Sequence, residues 1–365
     1  MKYLDAFREP RRARALADAV HRRVTRPWTL MEVCGGQTHA LARFGLEDLL
    51  PPSLALLHGP GCPVCVTAVA RVDQAQALAA RPEVVLCTFG DMVRVPGSAG
   101  DLAQVRSRGG AVQVVASPLD ALALARRRPD REVVFFAVGF ETTAPASALA
   151  VLQARAEGLA NFSLLVAHVR VPPALAALVA DPRCRVEGFL AAGHVCAVMG
   201  TAEYRPLAAR GLPVVVTGFE PLDLLQGILM AVTQLEEGRA EVEVQYARLV
   251  RPEGNPRAQA LLDRVFQVVD RPWRGLGLIP AGGFALRPEF QDLDAARRFG
   301  VGTLGGEDAA GCPSGLVLQG LLAPEACPAF GTTCTPDHPR GAPMVSAEGA
   351  CAARRRHARF PAEVP

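Results

Sequence analysis

Lysine is almost absent from this 365-residue chain: it occurs once, at Lys2, and arginine carries the rest of the positive charge. That removes the lysine of Schiff-base chemistry and the phosphate-gripping lysine of a P-loop, which argues against an ordinary Walker-type nucleotide hydrolase. Aromatic residues make up only 5% of the chain, so its cores must be built from aliphatic and alanine side chains. The formal charge of +3 is near balance and no basic block is interleaved with aromatics, so nucleic acid is not an expected partner. Arg354-Arg355-Arg356-His357 reads as a solvated helix face. No apolar run approaches the roughly 20 residues that span a bilayer, so no membrane association is expected. The stretch from Met1 to Arg26 reads as an amphipathic helix carrying Asp5, Glu9 and Asp18, without the apolar segment of an export signal. A cytoplasmic location is expected.

Cysteine, by contrast, is plentiful, with ten in the chain. In a reducing compartment that points to metal or redox chemistry before structural disulfides. The stretch His58-Gly59-Pro60-Gly61-Cys62-Pro63-Val64-Cys65 follows an apolar run, Leu54 to Leu57, that reads as a buried strand. From Pro63 to about Ala80 the pattern becomes helical, and proline is tolerated just inside a helix start. Cys62 and Cys65 are thus expected one turn apart at a helix N-terminus, where free N–H groups lower a thiol pKa. A Cys-x-x-Cys alone also fits zinc, iron or a structural turn.

The chain reads as repeated strand–loop–helix units, the mark of parallel βαβ architecture. The fold class expected is α/β: two tandem Rossmann-like parallel-sheet domains plus a smaller, irregular domain. The expected bounds are an N-terminal helix over 1–28 packing on the C-terminal domain, α/β domains over 29–130 and 131–245, and a cysteine-bearing domain over 246–365. Cys34, in Cys34-Gly35-Gly36-Gln37-Thr38-His39, follows the strand Thr29 to Val33, as Cys62 and Cys65 follow theirs. Loops at the carboxyl ends of parallel strands line the ligand crevice, so the three thiols are expected to share one. Three thiolates suit a soft, low-valent iron or a thiol relay. A closed zinc site would want a fourth ligand, for which His39 is the nearest candidate. Cys87 lies in an apolar strand and reads as core, Cys184 has no motif around it, and Cys196 beside His194 reads as a small residue in a packed turn.

Cys312, Cys327, Cys334 and Cys351 are separated by fourteen, six and sixteen residues. Four cysteines fit either a tetrahedral zinc or a [4Fe–4S] cluster, and spacing alone leaves both open.

Met31-Glu32-Val33-Cys34-Gly35-Gly36-Gln37-Thr38-His39, Gly59-Pro60-Gly61-Cys62-Pro63-Val64-Cys65, Gly139-Phe140-Glu141-Thr142-Thr143, Gly218-Phe219-Glu220-Pro221-Leu222-Asp223 and Met344 to Cys351 together resemble the HypD family of hydrogenase maturation factors. The resemblance runs from about Asp5 to His357. It implies a scaffold on which the Fe(CN)2CO unit of [NiFe]-hydrogenases is assembled, rather than a conventional turnover enzyme. The implied partners are the small chaperone HypC, the cyanide donor HypE with HypF upstream, and indirectly the hydrogenase large subunit. Carried over by motif, Cys34, Cys62 and Cys65 handle the iron and its redox chemistry, and Cys312, Cys327, Cys334 and Cys351 hold a [4Fe–4S] cluster. Electrons would pass from the cluster to Cys62/Cys65, with Glu348 helping to link the two. Two departures stand out: Gln37 replaces a histidine carried by some members, which leaves His39 as a substitute, and the wording around Cys312 differs from the family's. The alternatives are a thiol–disulfide oxidoreductase acting on protein substrates, which has no need of Cys34, and a zinc-stabilised binding module.

Overall fold

Runs of valine, leucine and alanine bounded by glycine, proline and aspartate form two parallel sheets in the computed structural model, which describes residues 5–302, 306 and 311–357. The outer ends of the expected first and last segments, 1–4 and 358–365, lie outside the described residues. After helix α1 (Pro10–Arg23) come strand β1 (Trp28–Glu32), α2 (Gly35–Phe44), β2 (Leu54–His58), α3 (Pro63–Val66) and α4 (Val69–Ala79). The next stretch holds β3 (Val84–Thr88), α5 (Leu102–Ser107), β4 (Val112–Val114), α6 (Pro118–Arg127), β5 (Glu132–Gly139), α7 (Ala144–Glu157), β6 (Phe162–His168) and α8 (Val171–Leu178). Then follow β7 (Gly188–Ala192), α9 (Gly193–Met199), α10 (Arg205–Ala208), β8 (Val214–Thr217), α11 (Pro221–Glu236) and β9 (Val242–Val244). The last part contains α12 (Pro256–Val265), β10 (Phe266–Trp273), β11 (Gly277–Leu286), α13 (Ala295–Arg298), α14 (Ser314–Leu318) and α15 (Ala350–His357).

The α/β class with two parallel sheets is borne out: one sheet has the order β2-β1-β7-β8-β9, the other β4-β3-β5-β6. The expected residue bounds are not. The chain leaves the first sheet after β2, builds the whole second sheet, and returns at β7, so β1 pairs with β7 (Leu30 with Gly188) and β3 with β5 (Val84 with Glu132). A division at residue 130 cuts both sheets. Strands buried on both faces read as uniform apolar runs, so their pattern identifies a parallel strand without naming its neighbour.

The second correction concerns α1. The Glu9 carboxylate caps it by accepting from the N–H groups of Arg11 and Arg12, both at 2.9 Å. Its buried Ala13, Ala17 and Val20 face α11 of the first sheet, not the C-terminal cysteines. Arg8 pairs with Glu220 and the Trp28 indole donates to Glu236 at 2.7 Å, closing the same face.

The third concerns residues 246–365. β10 and β11 form a long antiparallel hairpin with a bulge between Val269 and Arg271. Phe266, Phe284 and Leu286 enter the core of the second sheet, while Trp273 and Ile279 enter that of the first. Burying one such phenylalanine contributes about 2 kcal/mol, so the hairpin ties both cores together rather than starting a separate domain. Pro272 within β10 and the glycines of β11 hide its two-residue alternation. Cys334, Met344 and Ala352 form a small core of their own, with Phe330 and Cys351 packed on it. Among the described residues no helix is long and apolar enough to cross a membrane.

Candidate functional site

In the first sheet the chain runs outward from β1 to β2 on one side and from β7 to β8 on the other. The carboxyl ends of β1 and β7 therefore flank a switch point, where open parallel sheets bind ligands. Cys34 leaves β1 there as the extended residue before α2, and is 3% exposed. His194 leaves β7 beside it, with Nδ1 at 3.8 Å from the Cys34 sulfur. Phe219, after β8, packs on the His194 ring (centroids 5.1 Å apart) and lies against Gly36.

From the end of β2 the Gly59–Cys65 loop folds back over Cys34. The Gly59 N–H donates to the Glu32 carbonyl and the Gly35 N–H to the Gly61 carbonyl, each at 2.8 Å. Cys34, Cys62 and Cys65 share one apolar core with Phe140 and Trp273. Cys62 and Cys65 are joined as a disulfide, and in this state neither sulfur titrates. The helix behind them is shorter than expected, since α3 ends at Val66 and α4 begins anew at Val69.

Burial pushes the Cys34 thiol well above its ordinary value, and the Glu32 and Glu348 carboxylates add to the rise. Burial lowers His194 to about 4, so near neutral pH it faces Cys34 as a neutral imidazole. Glu348 lies against Gly35, where an added Cβ would sit 2.4 Å from the glutamate's own Cβ. Gln37 donates to the Ala191 carbonyl (3.2 Å) and the Thr217 hydroxyl (2.6 Å), clamping the ends of β7 and β8. His39 packs edge-on against His357 of α15, with centroids 5.1 Å apart. The imidazole that reaches Cys34 is His194, which the sequence reading passed over. Its signal was present in a strand ending at Gly193-His194, but β7 had first to be placed beside β1.

Cys312, Cys327, Cys334 and Cys351 line one apolar cavity, together with Phe330, Met344, Pro313, Pro343 and Gly341. The Arg340 N–H donates to the Cys334 sulfur at 3.3 Å. Burial, then the other three thiols, pushes Cys351 well up. Among the described residues no group of three or more His, Cys, Asp or Glu is placed to hold a single metal ion. The cavity adjoins the disulfide: Cys65 Sγ lies 4.0 Å from the Ala342 carbonyl, and Gly341, Pro343 and Met344 are cavity walls. Cys87 lies in the second core, pushed up to about 12 by burial.

At the end of β5 the Gly139–Thr143 loop serves structure. The Glu141 carboxylate accepts from the Val171 N–H at 3.0 Å, and His168 Nε2 meets the Ser147 hydroxyl at 3.0 Å. Burial lowers His168 to about 4. The unfolded chain, with an ordinary histidine near 6.5, binds this proton more readily, so stability is lost as pH falls from about 6.5 to about 4. In urea titrations across that window His168→Gln should lose stability less steeply than the wild type, by up to about 1.4 kcal/mol per pH unit. Equal slopes would contradict the buried neutral ring.

A family model described as "HypD: Hydrogenase formation hypA family" matches residues 11–358. The Hydrogenase expression/formation protein HupD of Azotobacter chroococcum mcd 1 is 49% identical over 363 residues, covering 97% of this chain and 96% of the relative. The Hydrogenase maturation factor HypD of Rhodobacter capsulatus is 49% identical over 368 residues, covering 97% of each. That of Escherichia coli K12 is 45% identical over 362 residues, again 97% of each.

Proposed function

The chain belongs to the HypD family of hydrogenase maturation factors, and from that premise we propose that it is the cytoplasmic scaffold on which the iron of the Fe(CN)2CO unit is held while its ligands are attached. The iron is cargo. HypC would share it and HypE, supplied by HypF, would deliver cyanide, before the unit passes toward the hydrogenase large subunit. The observation that carries this reading is the folding of the Gly59–Cys65 loop onto the Cys34 backbone, which brings the loop bearing Cys62 and Cys65 against the loop bearing Cys34.

Cys34 is the sulfur proposed to hold the iron. Its thiol must lose a proton to bind, and the neutral His194 ring at 3.8 Å is placed to take it. Cys62 and Cys65 become ligands or reductants only after their S–S bond breaks, which consumes two electrons and two protons and leaves two thiols. Cys312, Cys327, Cys334 and Cys351 would hold a resident [4Fe–4S] cluster, and the soft, all-thiol, apolar cavity suits it. When bound, such a cluster supplies single electrons next to the disulfide. Glu348, between the cavity segment and Gly35, keeps the two regions in register.

A protein-directed thiol–disulfide oxidoreductase needs a sulfur that a protein substrate can reach, whereas Cys62 and Cys65 are 3% and 0% exposed. The test is infrared spectroscopy of the complex with HypC. Cys34→Ala should lose the cyanide and CO bands while keeping the brown chromophore of the four-cysteine region. Undiminished bands would sink the proposal.

A further inference from the structure

We propose that His58 and Arg354 are positioning residues for Cys34: a chain of alternating charges, Glu32–His58–Glu47–Arg354, buried at its first two members and half-buried at its last two, ties the backbone of the Cys34 loop to the helix that carries Cys351. The inference rests on the reading above only in taking Cys34 as the working thiol.

The chain begins at Glu32, which is fully buried at the end of β1. One of its oxygens accepts from the Cys34 N–H at 2.9 Å; the other accepts from the Thr38 hydroxyl at 2.5 Å and meets His58 Nδ1 at 2.8 Å. Thr38 lies in the first turn of α2, so this single carboxylate grips the chain on both sides of Cys34's carbonyl. His58, at the end of β2, is 5% exposed. Its Nε2 faces Glu47 Oε1 at 3.2 Å, an ion-pair contact that leaves both buried atoms without a hydrogen bond. A carboxylate facing each ring nitrogen favours the charged imidazolium. Burial opposes that charge, but the Glu32 and Glu47 carboxylates prevail and raise His58 to about 9.

Glu47 then pairs with Arg354 on α15, whose Nε also lies 3.6 Å from Glu325 Oε1. A local cap for the Cys34 loop would have ended at His58. The extension to α15 needs another explanation, because removing any one of these charges leaves its neighbour uncompensated. Transmission supplies it: α15 bears Cys351, so the packing of the four-cysteine region fixes Arg354, Arg354 orients Glu47, and Glu47 with His58 fixes the carboxylate on which Cys34 hangs.

The test reads Cys34 itself and needs no iron. On the full-length protein with Cys62 and Cys65 oxidised, iodoacetamide labelling of Cys34 is followed by mass spectrometry of its peptide. His58→Gln should speed labelling about tenfold and Arg354→Gln about threefold, the scale of coupling within one charge network. The double variant should be no faster than His58→Gln alone, since Arg354 acts through His58. Arg354→Lys, which keeps the charge, should stay near the wild-type rate. A general loss of stability would instead speed every variant and multiply in the double. Circular dichroism checks the fold, and if His58→Gln fails to fold, Glu47→Gln interrupts the same chain from a more exposed position. Unchanged rates, or effects that multiply, overturn the proposal. Retained infrared bands in Cys34→Ala would sink the iron reading and leave this one standing.

Discussion

Gly61→Ala is expected to cost about 3–5 kcal/mol of stability and to expose Cys34, although it adds a single methyl group. That methyl would lie 2.1 Å from the Cys34 nitrogen, 2.3 Å from the Val33 carbonyl carbon and 2.4 Å from the Cys34 Cα. All three are backbone atoms, so no side chain can swing away. Either the Gly59–Cys65 loop lifts or the end of β1 shifts, and both movements break the 2.8 Å bond from the Gly35 N–H to the Gly61 carbonyl. The overpacking contributes about 1–3 kcal/mol, and each buried group left unpaired adds about as much again. Gly158→Ala is the control. Gly158 ends α7 at φ +64° with nothing within 4 Å of an added Cβ, so only the left-handed backbone is penalised, at about 1 kcal/mol. Urea midpoints and iodoacetamide labelling of Cys34 check both. A Gly61→Ala loss no larger than the control's would show that the two loops do not bear on each other as described.

That contact also marks how far the sequence could be read. The Cys34 and Cys62/Cys65 loops were legible because their signals are local: an apolar strand, a glycine break, a cysteine, a helix start. Their meeting was inferable from the general rule for carboxyl ends of parallel strands, which holds although the strands of the first sheet are not contiguous in the chain. β1 and β2 do lie side by side, whereas the neighbour on the other side of β1 arrives more than a hundred residues later, at β7. His194 was missed for that reason. A histidine after a glycine has no special meaning until its strand is known to flank Cys34.

The polar chain behind Cys34 was hidden more deeply. Glu32, Glu47, His58 and Arg354 stand in four different elements, and in sequence each reads as an ordinary surface or strand-end residue. Only the fold makes them neighbours. The hairpin of β10 and β11 was concealed by composition, because Pro272 and a run of glycines imitate irregular loop. Its apolar residues nevertheless reach both cores. In each case the missing information was the identity of a distant partner, which periodicity does not carry.

If the four cavity thiols hold the proposed cluster, Cys334→Ser should remove the brown absorption and the acid-labile sulfide of anaerobically purified protein while leaving both parallel sheets folded. Cys334 is the most deeply placed of the four cavity thiols, buried with Met344 and Ala352 in a core separate from those of the sheets. Serine keeps the shape but replaces a soft sulfur with a harder oxygen that stays protonated near neutral pH, a poor ligand for iron–sulfur chemistry. Because a bound group stabilises only the state that binds it, its loss should destabilise the segment from Cys312 to Cys351 first. Limited proteolysis should therefore cut between Cys327 and Arg340 in the variant and spare the wild type, with far-UV circular dichroism nearly unchanged. Cys184→Ser, outside the cavity, should alter neither colour nor cleavage. The same measurement decides between cluster and zinc. A zinc ion with bonds of about 2.3 Å draws four sulfurs to about 3.8 Å from one another, whereas no group among the described residues is placed to hold one ion and the four thiols instead line the walls of one cavity. Colourless wild-type protein with one tightly held zinc and no sulfide would mean that the loops close further than this cavity suggests, and would leave the disulfide beside it without a local source of electrons.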